Sequence, residues 1–197
     1  MGKNAFSAYM RIVFLTYIFI SISRLVSAPG IDFHLKVRIL TAGSNHIEMR
    51  YHQAEFSRFI KDLGHRESGN NWLSVNCIGC FGEWQFAEST VHYLGFKNIS
   101  LKKFKTNPDI FPRDMQQKVL ESLIKVNLAL LKDYEHFIGD TIDGVEITRS
   151  GLIAASHLGG AQSVKLFLAS RGRINKSDVL GTSVFDYIRR FHDYDLD

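Results

Sequence analysis

The chain predicts a mainly α fold in one globular domain, preceded by a short apolar leader. Apolar residues recur at helical spacing through most of residues 47–193, and the breaks between these stretches are short and centred on glycine. Strong β signals are missing, with only a brief partial alternation near the start. At 45% hydrophobic and 22% charged residues in a chain of 197, the composition excludes wholesale disorder. With only 3 prolines and no low-complexity tract, there is no candidate for a long linker.

Residues 1–28 read as a signal peptide or N-terminal anchor. Lys3 and Arg11 give a basic start, residues 12–22 (IVFLTYIFISI) form the apolar run, and Val26-Ser27-Ala28 offers small residues for cleavage. Pro29 would follow the scissile bond and opposes cleavage, so retention as a membrane attachment is the alternative. The run is short for a span of about 20 residues. The expected location is outside the cytoplasm: periplasmic, envelope-associated or secreted. Removing the segment takes away three basic residues (Lys3, Arg11, Arg24) and no acidic one, lowering the net charge from +4 to +1. The pI near 9.1 is therefore no guide to the domain. No basic stripe interleaves with aromatics, and nucleic acid is not an expected partner.

Residues 29–44 are expected to form an extended N-terminal arm, in which residues 31–41 (IDFHLKVRILT) alternate partly. The domain proper is assigned to residues 45–197. From about Ile47 the pattern is helical, with Phe56, Phe59, Ile60 and Leu63 on one face. Glu67 lies four residues beyond Leu63, on the same face, and Gly69 ends the helix. A carboxyl against an apolar wall is costly to ionise and keeps its proton nearer neutral pH, as a general acid must.

A polar, glycine-containing loop follows over residues 70–82. It carries Cys77 and Cys80, two thiols that cannot make a four-ligand zinc site alone. A local disulfide and two free thiols are both open, and a redox centre would want a βαβ context. No metal and no cofactor are expected.

Gly82 is expected to open a second helix, with Trp84, Ala87, Val91 and Leu94 inward and Gln85 and Phe86 at its start. Residues 97–109 read as a basic, solvated loop. Pro112 starts a long helix whose stripe is Met115, Val119, Leu123, Val126 and Leu130. Residues 139–144 (GDTIDG) are a turn. Thr148 caps a helix through Leu152, Ala155 and Ser156 that ends at Gly159-Gly160, and another helix follows with Val164, Phe167 and Leu168 inward. Ser183 and Asp186 have capping-box spacing before a last helix whose face is Val184, Tyr187, Ile188 and Phe191.

Three blocks in order resemble the signature of lytic transglycosylases and goose-type lysozymes. Glu67-Ser68, a loop with Asn76-x-x-Gly79-x-x-Gly82, and Trp84-Gln85-Phe86 resemble the family's ES…G…G-L-M-Q pattern. Residues 154–164 (AASHLGGAQSV) resemble its A-Y-N-A-G-P-x-x-V segment, and residues 186–191 (DYIRRF) its closing Y-V-x-x-V helix. The resemblance implies a lysozyme-like helical domain with a groove for peptidoglycan glycan strands, acting as a monomer. Glu67 would be the catalytic acid/base and Ser68 would lie near it or near substrate. Gln85 would bond an N-acetyl sugar, Phe86 and His157 would line the substrate, and Tyr187 would place its hydroxyl close to Glu67. His157 stands where the family commonly has asparagine.

Glycoside cleavage usually takes two carboxylates. Glu83, beside Trp84 at an expected helix start, would be at best an electrostatic stabiliser. Glu88, Asp140 and Asp143 are the other candidates. If none serves, the resemblance implies a lytic transglycosylase, which cleaves the bond between N-acetylmuramic acid and N-acetylglucosamine with one glutamate and leaves a 1,6-anhydro product. A hydrolytic lysozyme and a non-catalytic glycan-binding module are the alternatives.

Overall fold

The computed structural model describes residues 33–196, with side chains from Met49 onward. The expected signal or anchor, with Pro29, lies outside the described residues. Contact density divides the chain at Tyr51/His52 into two compact units, and apart from the N-terminal part of the first described helix everything below concerns the second. Within it the structure is mainly helical, as the sequence predicts.

The first described helix, α1, runs Phe33–Ser68. The extended arm expected over residues 29–44 is therefore corrected from Phe33 onward: the partial alternation has no partner strand among the described residues. Without a ladder, a strand leaves its backbone groups unpaired, whereas a helix satisfies them internally. The end of α1 is as expected. Gly69 takes φ +67°, and the Asn70 N–H returns to the Gly64 carbonyl at 3.1 Å, closing the last turn.

Residues 70–87 are loop, not the start of a helix. Phe81 and Phe86 pair backbone to backbone at 3.0 and 2.9 Å around a tight turn, with Gly82 at φ +87° and Gln85 at φ +51°. Neither angle is helical, so the expected helix starts late: α2 spans Glu88–Tyr93. Residues 97–109 are not a plain surface loop. They hold α3, Leu101–Thr106, capped by the Ser100 hydroxyl, with Phe104 wholly buried while Lys102, Lys103 and Lys105 face solvent. Phe81, Phe86, Phe104 and Phe111 form an aromatic cluster with ring centroids 5.1–6.3 Å apart.

Helix α4, Arg113–Leu131, buries Gln116, Val119, Leu120, Ile124, Asn127 and Leu131. This face is rotated from the expected stripe: Leu130 is 48% exposed and Gln116 is wholly buried. The turn at residues 139–144 is a small hairpin. Strands β1, Thr141–Ile142, and β2, Val145–Glu146, are joined through Asp143 and Gly144, both at positive φ.

Helix α5, Arg149–Ala169, starts on the Thr148 cap and kinks at Gly160 (φ 72°, ψ 158°), matching the two expected segments. Every residue from Ser150 to Ser156 is buried, as befits a helix enclosed on all sides. It packs against both α4 and the last helix, α6, Val184–Phe191. On α6 the capping box of Ser183 and Asp186 forms, and the buried face is the expected one: Val184, Tyr187, Ile188 and Phe191.

Candidate functional site

The C-terminal turn of α1 brings Glu67 to the buried face of α6. Leu63, one turn earlier, is fully buried, whereas Glu67 is half-buried with its carboxyl at the edge of the core. The Tyr187 hydroxyl donates to Glu67 Oε1 across 120 residues of chain. Burial first, and then the adjacent Glu67 carboxylate, push the Tyr187 hydroxyl well above the ordinary phenol range, with Arg66 opposing. Tyr187 is therefore a neutral donor at any physiological pH. Arg66 places its guanidinium 5.7 Å from the Tyr187 ring centroid and donates to Thr182 Oγ1 at 3.2 Å.

The cysteine loop borders the same carboxyl. Asn76 closes it: its N–H reaches the Cys80 carbonyl at 2.9 Å, and its Oδ1 accepts from the Ile78 and Cys80 N–H groups at 3.1 and 2.9 Å. Cys77 and Cys80 are free thiols, the first exposed and the second half-buried, so of the two open readings the structure holds the unbridged one. Burial pushes the Cys80 thiol up, the Asn76 side chain opposes, and the Glu67 carboxylate adds to the rise.

Ser68 is committed to backbone. Its hydroxyl donates to the Glu83 carbonyl at 2.7 Å and accepts from the Asn71 N–H at 3.0 Å, tying the end of α1 to the 82–85 turn. Gln85 is half-buried, and its amide Nε2 donates to the Gly82 carbonyl at 2.8 Å, bracing the turn. A non-glycine residue at φ +51° holds about 1–3 kcal/mol of strain, and such positions cluster at functional sites. His157 is half-buried on α5, with Nε2 at 2.8 Å from the Trp84 carbonyl. A carbonyl only accepts, so Nε2 carries the hydrogen. Nδ1 is buried and finds no partner among the described residues.

Phe86 requires a correction. It is 2% exposed, packed at 6.1 Å from the Phe111 ring and edge-on to His157 at 5.8 Å. Fully burying a phenylalanine is worth about 1.5–3 kcal/mol, so this ring belongs to the core and does not reach a ligand.

Glu83 occupies a different environment. It is wholly buried, and Arg113 holds it through a two-pronged ion pair, Nε–Oε2 at 2.5 Å and Nη2–Oε1 at 2.8 Å. Hydrogen bonding to Glu83 raises the Arg113 guanidinium still further above its usual range. Behind the pair, Gln116 Oε1 accepts the Glu83 N–H at 2.6 Å while its Nε2 donates to the Trp72 and Phe111 carbonyls at 3.0 and 2.8 Å. Trp84 is anchored likewise, Nε1 to the Ile60 carbonyl at 2.8 Å. Glu88 accepts the Leu101 N–H at 2.7 Å, and Asp140 pairs with Arg171 at 2.8 Å.

Sequence reasoning thus brings Glu67 and Tyr187 together and misses Arg113 and Gln116. Gln116 was legible as the polar member of the face Gln116-Val119-Leu120-Ile124, had the α4 stripe been phased on Leu120 rather than Met115. A cleft of about 410 Å³ opens beside Tyr187, lined by Arg66, Thr182, Asp186, Arg189 and Arg190 among others. No protein-family model matches the chain, and neither a curated protein nor a solved structure matches it.

Proposed function

We propose that the protein is an exported peptidoglycan-cleaving enzyme with a lysozyme-like helical domain, in which Glu67 is the acid and then the base. The observation that carries this reading is the Tyr187–Glu67 hydrogen bond. It fixes a carboxyl at the rim of the core without neutralising it, leaving the second oxygen for a ligand. Glu83, by contrast, has a cation against both oxygens.

Glu67 would protonate the glycosidic oxygen between N-acetylmuramic acid and N-acetylglucosamine. The muramic acid's acetamido oxygen would stabilise the cationic carbon. Glu67, now ionised, would take the proton of that sugar's C6 hydroxyl as the 1,6-anhydro ring closes, which makes the enzyme a lytic transglycosylase. Supporting a single carboxylate over two, Glu83, Glu88 and Asp140 are each committed to an ion pair or a backbone N–H. Hydrolysis by water is the second reading, and product mass separates them: muropeptides heavier by one water indicate a lysozyme.

The first test is Glu67→Gln. Loss of a general acid costs about 10²–10⁴-fold in rate. The clearing of cell-wall suspensions should fall by that factor while the melting temperature stays within about 3 °C, the shift expected from about 1 kcal/mol in a chain of this size. An equally active variant would remove Glu67 from the chemistry, whereas a wild type that binds but never clears the suspension would be a binding module.

A further inference from the structure

Cys77 and Cys80 are nucleophilic side chains that the proposed reaction does not use, and the fold holds them as a pair. The loop carrying them is a closed hairpin. Its base is the antiparallel bridge between Val75 and Phe81, and Phe81 is wholly buried and paired on its other side with Phe86. Above the base, the Asn76 N–H reaches the Cys80 carbonyl at 2.9 Å, and the Gly79 N–H reaches the Asn76 carbonyl at 3.2 Å. Gly79, at φ +86°, turns the chain between the thiols, where an added Cβ would meet Leu101 Cδ2 at 3.3 Å. Cys80 is thus level with Asn76, the residue before Cys77, and the step from one thiol to the other spans the reversal. A disulfide joins Cα atoms about 4.4–6.8 Å apart, and a tight turn brings residues three apart to within about 7 Å.

The two thiols are unlike. Cys77 is exposed at the tip beside Ile78, while Cys80 is half-buried. Burial, and to a lesser degree the Glu67 carboxylate, push the Cys80 thiol up against the opposing Asn76 side chain. A catalyst of disulfide exchange has the reverse arrangement, with a cation or a helix N-terminus holding its nucleophile as thiolate. A dithiol with an accessible outer member and a protonated inner one is suited to being oxidised rather than to oxidising. Its bridge persists until a reductant arrives, because a thiol of raised pKa is a poor leaving group.

We propose that Cys77 and Cys80 are a reversible oxidation site, which reacts with a small external disulfide and becomes an intramolecular bridge in the loop bordering Glu67. The Cys77 thiolate attacks one sulfur of the external disulfide. A mixed disulfide forms at Cys77 Sγ, and the other half leaves as a thiolate that takes up the proton Cys77 gave away. Cys80 then loses its proton and attacks Cys77 Sγ, and the first half leaves as a second thiol. Two cysteines are oxidised, one external disulfide is reduced to two thiols, and protons balance. The site stands whether or not Glu67 cleaves a glycan.

Equilibrating the full chain with graded ratios of reduced and oxidised glutathione tests it, after acid quench, maleimide labelling in denaturant and mass spectrometry. The wild type should pass from a form taking two maleimides to a monomer lighter by two hydrogens and taking none. Dithiothreitol should return it to the first form without unfolding. Cys80→Ser, lacking the second thiol, should accumulate a glutathione adduct on Cys77. Cys77→Ser should form its adduct about tenfold more slowly, since its remaining thiol is enclosed and protonated. A thermal melt confirms that both variants fold. Two labelled thiols at every ratio, a wild type that stops at the glutathione adduct, or a bridge between chains would each overturn the site. A bridge that yields only on unfolding would overturn its reversibility, and equal adduct rates would overturn Cys77 as the attacking thiol.

Discussion

Glu67 and Glu83 stand at opposite ends of one loop, and their surroundings are opposite in kind. Glu83 has no exposed surface, a cation against both oxygens and a backbone N–H clamped by Gln116. Glu67 is half-buried and receives one neutral hydroxyl. The difference teaches how a fold separates a structural charge from an available one. An ion pair with both oxygens engaged holds the loop but leaves no lone pair directed at a ligand. A single phenol donor orients the carboxyl through one of its oxygens.

The largest expected effect on stability comes from breaking the Glu83 side, and the two partners should not be equivalent. Arg113 is 61% exposed, while the Glu83 side chain is fully enclosed. Arg113→Ala strands a buried carboxylate and should destabilise by about 3–5 kcal/mol. Glu83→Gln leaves only a solvated guanidinium and a neutral amide, and should cost about 1–3 kcal/mol. Urea denaturation measures both. Equal losses would mean that the enclosed carboxylate is solvated after all, and the contrast with Glu67 would weaken.

The same contrast explains what was legible in the sequence. Local chemistry was readable wherever one residue decides the backbone: Gly69 ends α1, Thr148 caps α5, and Ser183 with Asp186 caps α6. The face of α6 was readable because its apolar residues leave one solution. Glu67 was found because it continues an unambiguous apolar face. The Glu83 node was not, because its partners lie 30 and 33 residues away on α4, whose mixed stripe admits more than one phase. The 82–85 turn was missed because Trp-Gln-Phe scans as helix, while the Phe81–Phe86 pairing and the burial of four phenylalanines override local propensity. Asp143-Gly144 between Ile142 and Val145 is a hairpin signal that could have been read, since both turn residues tolerate positive φ.

The Glu67 side should yield a smaller change in stability than Arg113→Ala and a larger one in rate. Tyr187→Phe removes one hydrogen bond to a charged group, worth about 1.5–3 kcal/mol, and should lower wall cleavage by about tenfold through misplacement of the carboxyl. It has a pH signature as well. The folded state raises the Tyr187 hydroxyl above its unfolded value of about 10. Its contribution is therefore complete below pH of about 10 and is lost as pH rises beyond it. Tyr194, raised chiefly by burial and then by its hydrogen bond to Asp62, adds in the same direction. The wild type should lose stability steeply above that pH, and Tyr187→Phe should lose less. Parallel alkaline denaturation curves would show that the phenol's proton is not what holds the pair together.

The smallest effect is expected where the two glutamates are joined. Ser68 follows Glu67 directly and donates to the Glu83 carbonyl, so its hydroxyl connects the end of α1 to the enclosed ion pair. Ser68→Ala should cost about 1 kcal/mol, an ordinary net value for one hydrogen bond. Its kinetic signature tells which glutamate it serves. A tie between backbone segments lets α1 fray at its last turn, so kcat should fall by about twofold to threefold with KM steady, the mark of a carboxyl slightly misplaced in the transition state. A rise in KM at constant kcat would mean that the hydroxyl also touches substrate, and Ser68 would then belong to the open side of the comparison rather than to the joint between its halves.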